Sequence, residues 1–262
     1  MSVNQVDLTS NQYDEWSRYY DLSNNEIDSI VKKLGGAPWL GKRVLEIGCG
    51  TGRFTEKILA DVAELVAVDI DDNRLSILKQ KIKRNGFESK SEVFLGELYE
   101  VVRVLEGRQF DCILFTWSWR FIHQQGKSDR VFNTVKKLLA PSFAILSTMT
   151  VGGEWEDTID LIVGTKESDR EINLNKTANK NLVELFEKEK LEILDFLQVN
   201  HFKFPNISIA TNFALEMSGV ALSEKERVDM IVRKFINCDG IVQISDKIQC
   251  LFARSANWRM QK

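Results

Sequence analysis

Two patterns of apolar residues alternate along the middle of the chain. Short apolar runs come first: "RVLEIG" from Arg43, "AELVAVDI" from Ala63, "SEVFLG" from Ser91, "FDCILFTW" from Phe110 and "SFAILSTMT" from Ser142. Between them lie "RFTEKILAD", "DDNRLSILKQKIKRNG" closed by Gly86, "ELYEVVRVLEG" and "SDRVFNTVKKLLAP" stopped by Pro141, which read as helices. Strands alternating with helices, each strand apolar on both faces, predict a parallel sheet covered by helices on both sides. Such crossovers are right-handed, so the ligand crevice is expected beyond the carboxyl ends of the strands.

The flanks follow other rhythms. "SNNEIDSIVKKLGG" predicts a helix with Ser23 and Glu26 as capping box, an apolar stripe of Ile27, Ile30, Val31 and Leu34, and Gly35 as its end. After Thr150, "VGGEWEDTIDLIVGTKESDREINLNK" reads as polar and broken, followed by a helix over "TANKNLVELFEKEK" and a strand over "LEILDFLQVNHF". Two helices are expected at "PNISIATNFALEMSG" and "SEKERVDMIVRKFIN", the second with a capping box of Ser223 and Glu226, before a closing strand "KIQCLFARS". The expectation is one domain over 1–262: a helical cap at 1–40, the alternating core at 41–150, and a part at 151–262 with insertions after the fifth and sixth strands. A separate second domain is the rival, disfavoured because no clear linker intervenes.

Composition narrows the classes. The 262 residues are 44% apolar, ordinary for a globular protein, and carry a net charge of −3. Nucleic-acid binders present a basic face; the densest basic patch here, "KQKIKR", has the spacing of a solvated helix face. Cys49, Cys112, Cys238 and Cys250 form no CxxC pair, so neither a metal site nor a disulfide framework is expected, and a reducing cytoplasm fits. The opening "MSVNQVDLTS" lacks the apolar centre of a signal peptide, and no run approaches a membrane span.

Chemistry concentrates in "VLEIGCGTGRF", from Val44 to Phe54. Gly48, Gly50 and Gly52 stand at a strand-to-helix turn, where glycine admits positive φ and close ligand approach. A dinucleotide loop reads GxGxxG, but the third such position here is Arg53, and Glu46 is an acid that a pyrophosphate would repel. A ligand with an ammonium group and no phosphate suits Glu46 better, and S-adenosylmethionine is such a ligand. Asp69 ends the second strand about twenty residues after the loop, where an acid accepts hydrogen bonds from ribose hydroxyls; alternatively Asp69 and Asp71 cap the next helix.

These residues together resemble the class I S-adenosylmethionine-dependent methyltransferases of small-molecule type, over roughly Tyr13 to Met149. "VLEIGCGTGRF" looks like the first motif of that family, "VAVDID" like the second and "FDCILFTWSWRFI" like the fourth-strand motif. The resemblance implies a doubly wound α/β fold with a mostly parallel seven-stranded sheet, helices on both faces and the last strand antiparallel. It implies S-adenosylmethionine as cofactor, held around Glu46, Gly48, Cys49, Gly50 and Gly52, by Asp69 and Ile70, and by Thr116 at the fourth strand. Glu97, where Asp is commoner, and Leu98 would meet the adenine. Tyr13 and Tyr20 in "YDEWSRYYD" would close over the methionine end, or else anchor a surface helix. The sequence departs from the family where Pro141-Ser142-Phe143 replaces Pro-Gly-Gly, and where Arg120 and Phe121 replace a pair of histidines.

For the acceptor, "TWSWRFIH" places Trp117, Trp119, Phe121 and His123 at alternate positions. An extended chain puts all four on one face, and in a helix Trp119 and His123 still share one. Either the tryptophans line an acceptor pocket by stacking or cation–π attraction, with His123 taking a proton, or they are buried and His123 is superficial. Trp155 between Glu154 and Glu156 suggests an acidic, aromatic lid suited to an amine-bearing substrate. His201 reads as packed or exposed, and Cys49 as a tightly packed small residue. The resulting expectation is placement-driven methyl transfer to a small molecule, with no nucleic-acid or membrane partner. The rivals are a protein side-chain methyltransferase, a non-catalytic adenosyl-ligand binder or scaffold, and a nicotinamide enzyme.

Overall fold

The computed structural model describes residues 25–164 and 167–260, with Gln12, Asp14, Glu15 and Tyr19 from the preceding stretch. A helix α1 (Asn25–Leu34) leads into β1 (Arg43–Ile47), and the alternation then runs α2 (Thr55–Ile58), β2 (Glu64–Asp69), α3 (Asp72–Arg84), β3 (Ser91–Leu95), α4 (Leu98–Val101), β4 (Phe110–Thr116), α5 (Trp119–Gln124), α6 (Ser128–Leu138) and β5 (Leu139–Gly152). Two helices, α7 (Glu154–Val163) and α8 (Glu167–Lys188), precede β6 (Glu192–Phe204); α9 (Ile207–Ser218) and α10 (Lys225–Val232) precede β7 (Val242–Arg254). The seven strands are ordered β3-β2-β1-β4-β5-β7-β6, a mixed sheet with the last strand antiparallel and helices around it.

Register explains the apolar runs. β1 pairs in parallel with β2 (Leu45↔Val66) and with β4 (Leu45↔Ile113), so it has a neighbour on each side and helices on each face. Its residues after Arg43 are all buried, as are those of β2 after Glu64. β3, at the edge of the sheet, is only partly covered.

The chain divides into two compact units. The larger comprises Asp28–Met149, Leu174–Leu197 and Gln249–Lys262. Its core joins Leu45, Val66, Ile113 and Ile145 of the strands to Trp119, Phe132 and Val135 on α5 and α6, and to Leu182 and Phe186 on α8. The smaller comprises Met1–Ile27, Thr150–Asn173 and Gln198–Ile248. It is centred on an aromatic group in which Trp155 packs at a tilt against Phe202 and Phe213, with ring centroids 4.7 and 5.2 Å away.

Several expectations need correction. The predicted helices at 53–61 and 97–107 are single turns, α2 and α4. The segment from Gly153 to Lys176 is not broken: it forms α7, ended by Gly164 in the left-handed conformation, and the first half of α8. Pro141 does not stop α6, which ends at Leu138; it lies inside β5, where two steps along β4 match five along β5. A proline is tolerated at such a bulge because no ladder hydrogen bond is required of it. At α10 the N-cap is Glu224 without a side-chain cap, so the capping box of Ser223 and Glu226 is not formed. Ser23 lies outside the described residues.

Candidate functional site

The glycine loop is built by close approach. Gly48 and Gly52 have φ of +74° and +82°. A Cβ on Gly48 would lie 2.3 Å from Ser118 Cβ, and one on Gly52 would lie 2.4 Å from Leu78 Cδ1 on α3. Any larger residue would force the loop off the α5 entry on one side or off α3 on the other. Ser118 also donates its hydroxyl to the carbonyl of Ile47, at 2.5 Å.

The N–H groups of this loop are largely spent inside the protein. Those of Gly48 and Cys49 reach the Val68 carbonyl (2.8 and 3.3 Å), and that of Gly52 reaches Cys49 (3.0 Å). Gly50 N–H donates to Asp69 Oδ2 at 2.7 Å. A phosphate cradle needs such donors turned outward, so the loop suits a ligand without phosphate. Asp69 Oδ1 accepts the N–H of Asp71 at 3.0 Å, which orients the carboxylate at the tip of β2. An ionised carboxylate is acceptor-only with about four lone-pair sites, so two bonds leave capacity for hydroxyl donors. Asp71, in turn, is the residue that caps α3, accepting from Arg74 N–H at 3.1 Å.

Glu46 differs from expectation. It is wholly buried, and its carboxylate accepts the hydroxyls of Thr55 and, at 2.7 Å, of Thr116. It therefore fastens the loop to α2 and β4 and presents no surface to an ammonium group. Burial raises its pKa to about 7, against the two threonine bonds and the nearby Arg53 charge, which lower it. Because the folded carboxyl holds its proton more tightly than an unfolded one, it favours folding fully below the ordinary value of 4.5, and that contribution is lost as pH rises through about 7. The loss amounts to about 3 kcal/mol. Glu46→Gln should remove this dependence, so the variant gains stability relative to wild type between pH 5 and pH 8 in urea denaturation; a constant difference would contradict the assignment.

The remaining expected residues separate into two groups. Ile70, beside Asp69, is 60% exposed, an apolar side chain left open at a strand tip. Glu97 is partly exposed and bonds Lys127 Nζ at 2.5 Å. Cys49, Leu98 and Thr116 are buried, and burial pushes the Cys49 thiol well above its usual range. The Leu98 side chain belongs to the core, which leaves its backbone as the part that can meet a ligand. Tyr13 and Tyr20 lie outside the described residues.

Trp119 is likewise corrected. It is fully buried, donates Nε1–H to the Ala178 carbonyl at 3.1 Å, and packs edge-on against Phe115 at 4.9 Å. Trp117 points elsewhere: it has φ of +61°, and the Arg53 guanidinium lies over its ring at 5.1 Å. The positive φ breaks the alternation expected from the sequence, and the chain turns into α5. His123 is in the last turn of α5, with Nδ1 3.2 Å from Ser128 Oγ. Trp155 is 7% exposed, within the aromatic group of the smaller unit, which corrects its expected role as an open lid residue. Thr55, Ser118, Arg53 and Lys127 take part without having been expected. Only Arg53, at the altered third glycine position, carried a signal in the sequence.

Fold and loop together are those of a class I S-adenosylmethionine-dependent methyltransferase domain, a class whose cofactor is S-adenosylmethionine. Residues 44–142 match the family described as "Methyltransferase domain". The chain is similar to phosphoethanolamine N-methyltransferase 1 of Arabidopsis thaliana, 30% identical over 101 residues, which are 38% of this chain and 20% of that one. It is similar to protein arginine N-methyltransferase 1 of Dictyostelium discoideum, 30% identical over 156 residues, 55% of this chain and 44% of that one. The chain thus spans less than half the length of these curated relatives. Among solved structures, a putative methyltransferase from Bacillus halodurans shares the fold with a TM-score of 0.53 at 14% identity, over 86% of this chain and 97% of that one. Among the described residues no helix is long and apolar enough to cross a membrane, and no group of three or more His, Cys, Asp or Glu side chains is arranged to hold a metal ion.

Proposed function

We propose that the chain transfers the methyl group of S-adenosylmethionine to a small-molecule acceptor. The observation that carries the cofactor half is the inward-turned loop joined to Asp69 by the 2.7 Å bond from Gly50 N–H. When bound, the cofactor supplies an electrophilic methyl carbon on a sulfonium that departs as a neutral thioether. Asp69 accepts the ribose hydroxyls, and Ile70 offers its exposed apolar side chain to the flat base beyond them. Gly48 and Gly52 keep the backbone low enough for contact, and Glu46, Thr55 and Thr116 hold that backbone in place before any ligand arrives. With the donor already activated, alignment of the reacting atoms supplies most of the rate, and a proton acceptor is required only where the acceptor atom carries a proton. No residue is assigned that role; His123 already bonds Ser128 on the neighbouring helix.

A small-molecule acceptor is supported by the net charge of −3 and by the likeness to a phosphoethanolamine enzyme. The likeness to a protein arginine enzyme supports the rival protein acceptor. Calorimetry with S-adenosylmethionine and S-adenosylhomocysteine tests the first half, and methyl-labelled cofactor incubated with separate metabolite, peptide and RNA fractions tests the second. Binding with label in the metabolite fraction is expected. Failure to bind either adenosyl compound removes the cofactor reading, and label appearing in peptide or RNA instead replaces the acceptor.

A further inference from the structure

The smaller unit holds a buried polar cluster that the cofactor loop does not use. The inward face of β6 carries Gln198, Asn200, Phe202 and Phe204 in alternation. Asn200 is fully buried and Gln198 is 8% exposed, yet neither atom of either amide has a hydrogen-bond partner among the described residues. Each such group costs about 1–3 kcal/mol if left unmet, and native folds keep few of them.

Three acids lie on the neighbouring elements α7 and β7. Glu154 accepts the Ser245 N–H of β7 at 3.0 Å, and its charge also acts on His201 of β6. Gln249 of β7 reaches Asp195 of β6 at 2.9 Å and Arg254 reaches Glu192 at 2.7 Å, a register of these adjacent strands that brings the inward-facing Asp246 opposite the stretch from Gln198 to Asn200. Asp246, 1% exposed, accepts the Thr150 hydroxyl at 2.9 Å. Glu156, at the start of α7, interacts with Asp246, and its Oε2 is buried without a hydrogen-bond partner among the described residues. Next after Asn200 on the same face, Phe202 packs at a tilt against Trp155, ring centroids 4.7 Å apart.

We propose that Glu156, Asp246, Asn200 and Gln198 bind the protonated amine of a small aromatic molecule, with its ring beside Trp155 and Phe202. An ammonium group has three donors and no acceptor. Glu156 Oε2, Asn200 Oδ1 and Gln198 Oε1 supply three acceptors. Burial first, and then the charge of Asp246, raise the Glu156 pKa to about 9, so without a cation the pair retains a proton at neutral pH. An ammonium ion replaces that proton, which leaves to solvent as the Glu156 carboxylate forms. The ammonium and the Glu156 carboxylate then pair, and the cluster keeps the single net negative charge that it had with the proton.

The site lies within the smaller unit and goes beyond the cofactor reading. Calorimetry on the full chain with tryptamine, and with its uncharged counterpart indole-3-ethanol, tests it. Tryptamine should bind at neutral pH and release about one proton, read from the dependence of the heat on buffer ionisation; indole-3-ethanol should bind at least about tenfold more weakly. Glu156→Gln, which mimics the protonated acid, should retain the wild-type melting temperature and lose about tenfold or more in tryptamine affinity. Asn200→Leu should raise the melting temperature by removing two unmet groups, and should also weaken tryptamine. Equal binding of the two probes, no binding, or affinity unchanged in both variants would mean that water alone fills the cluster. S-Adenosylhomocysteine titrated separately reports on the cofactor reading, so either reading can fail alone.

Discussion

Trp119→Ala is expected to lower the unfolding free energy by about 3–5 kcal/mol, the range for deleting a large buried aromatic side chain. The ring is fully buried between Phe115 and Phe132, at 4.9 and 6.5 Å, so its loss leaves a cavity that neighbours on three elements must collapse into. Its Nε1–H also donates to the Ala178 carbonyl on α8, a bond that the variant loses. Trp119→Phe should cost roughly 1–2 kcal/mol, keeping most of the packing and losing the hydrogen bond. Urea denaturation of the two variants checks this, and a cost below about 1 kcal/mol for the alanine variant would be incompatible with a core position.

The second large effect falls on the ligand. Asp69→Ala should weaken S-adenosylhomocysteine binding by roughly tenfold or more, since hydrogen bonds to a charged group contribute about 1.5–3 kcal/mol. The substitution also removes the acceptor of Gly50 and Asp71 N–H, so part of the loss arises from a slackened loop. Asp69→Asn separates the two contributions: it keeps an oxygen for one backbone donor but loses the charge, and its affinity should fall between those of wild type and alanine. An unchanged dissociation constant for Asp69→Ala, measured by calorimetry, would remove Asp69 from the cofactor site.

The central sheet was legible because parallel strands buried on both faces must be written as apolar runs; β1, β2 and β4 lie where those runs do. The loop was legible for a different reason: three glycines at alternate positions after a strand have few other uses. What stayed hidden depends on partners far away in sequence. Alternation in "TWSWRFIH" ignores that a single positive φ at Trp117 turns one tryptophan from the other. The polarity of "EWEDTIDLIVG" hid α7, whose Glu154 and Glu156 are engaged with β7. Glu46 read as a ligand because nothing in its spacing to Thr55 and Thr116 announces that their hydroxyls meet it. Likewise Ser118 gives no sign in sequence that it limits what can stand at position 48.

The Glu46 tether also bears on when the loop becomes competent during folding. Its two hydroxyl partners come from positions 9 and 70 residues away, the second on a strand that docks beside β1 only across a long chain closure. A peptide ending before Phe110 would spell the whole glycine signature and still leave one carboxyl oxygen unanchored. Ligand capture would then be a late event, reporting that the middle of the sheet has zipped together.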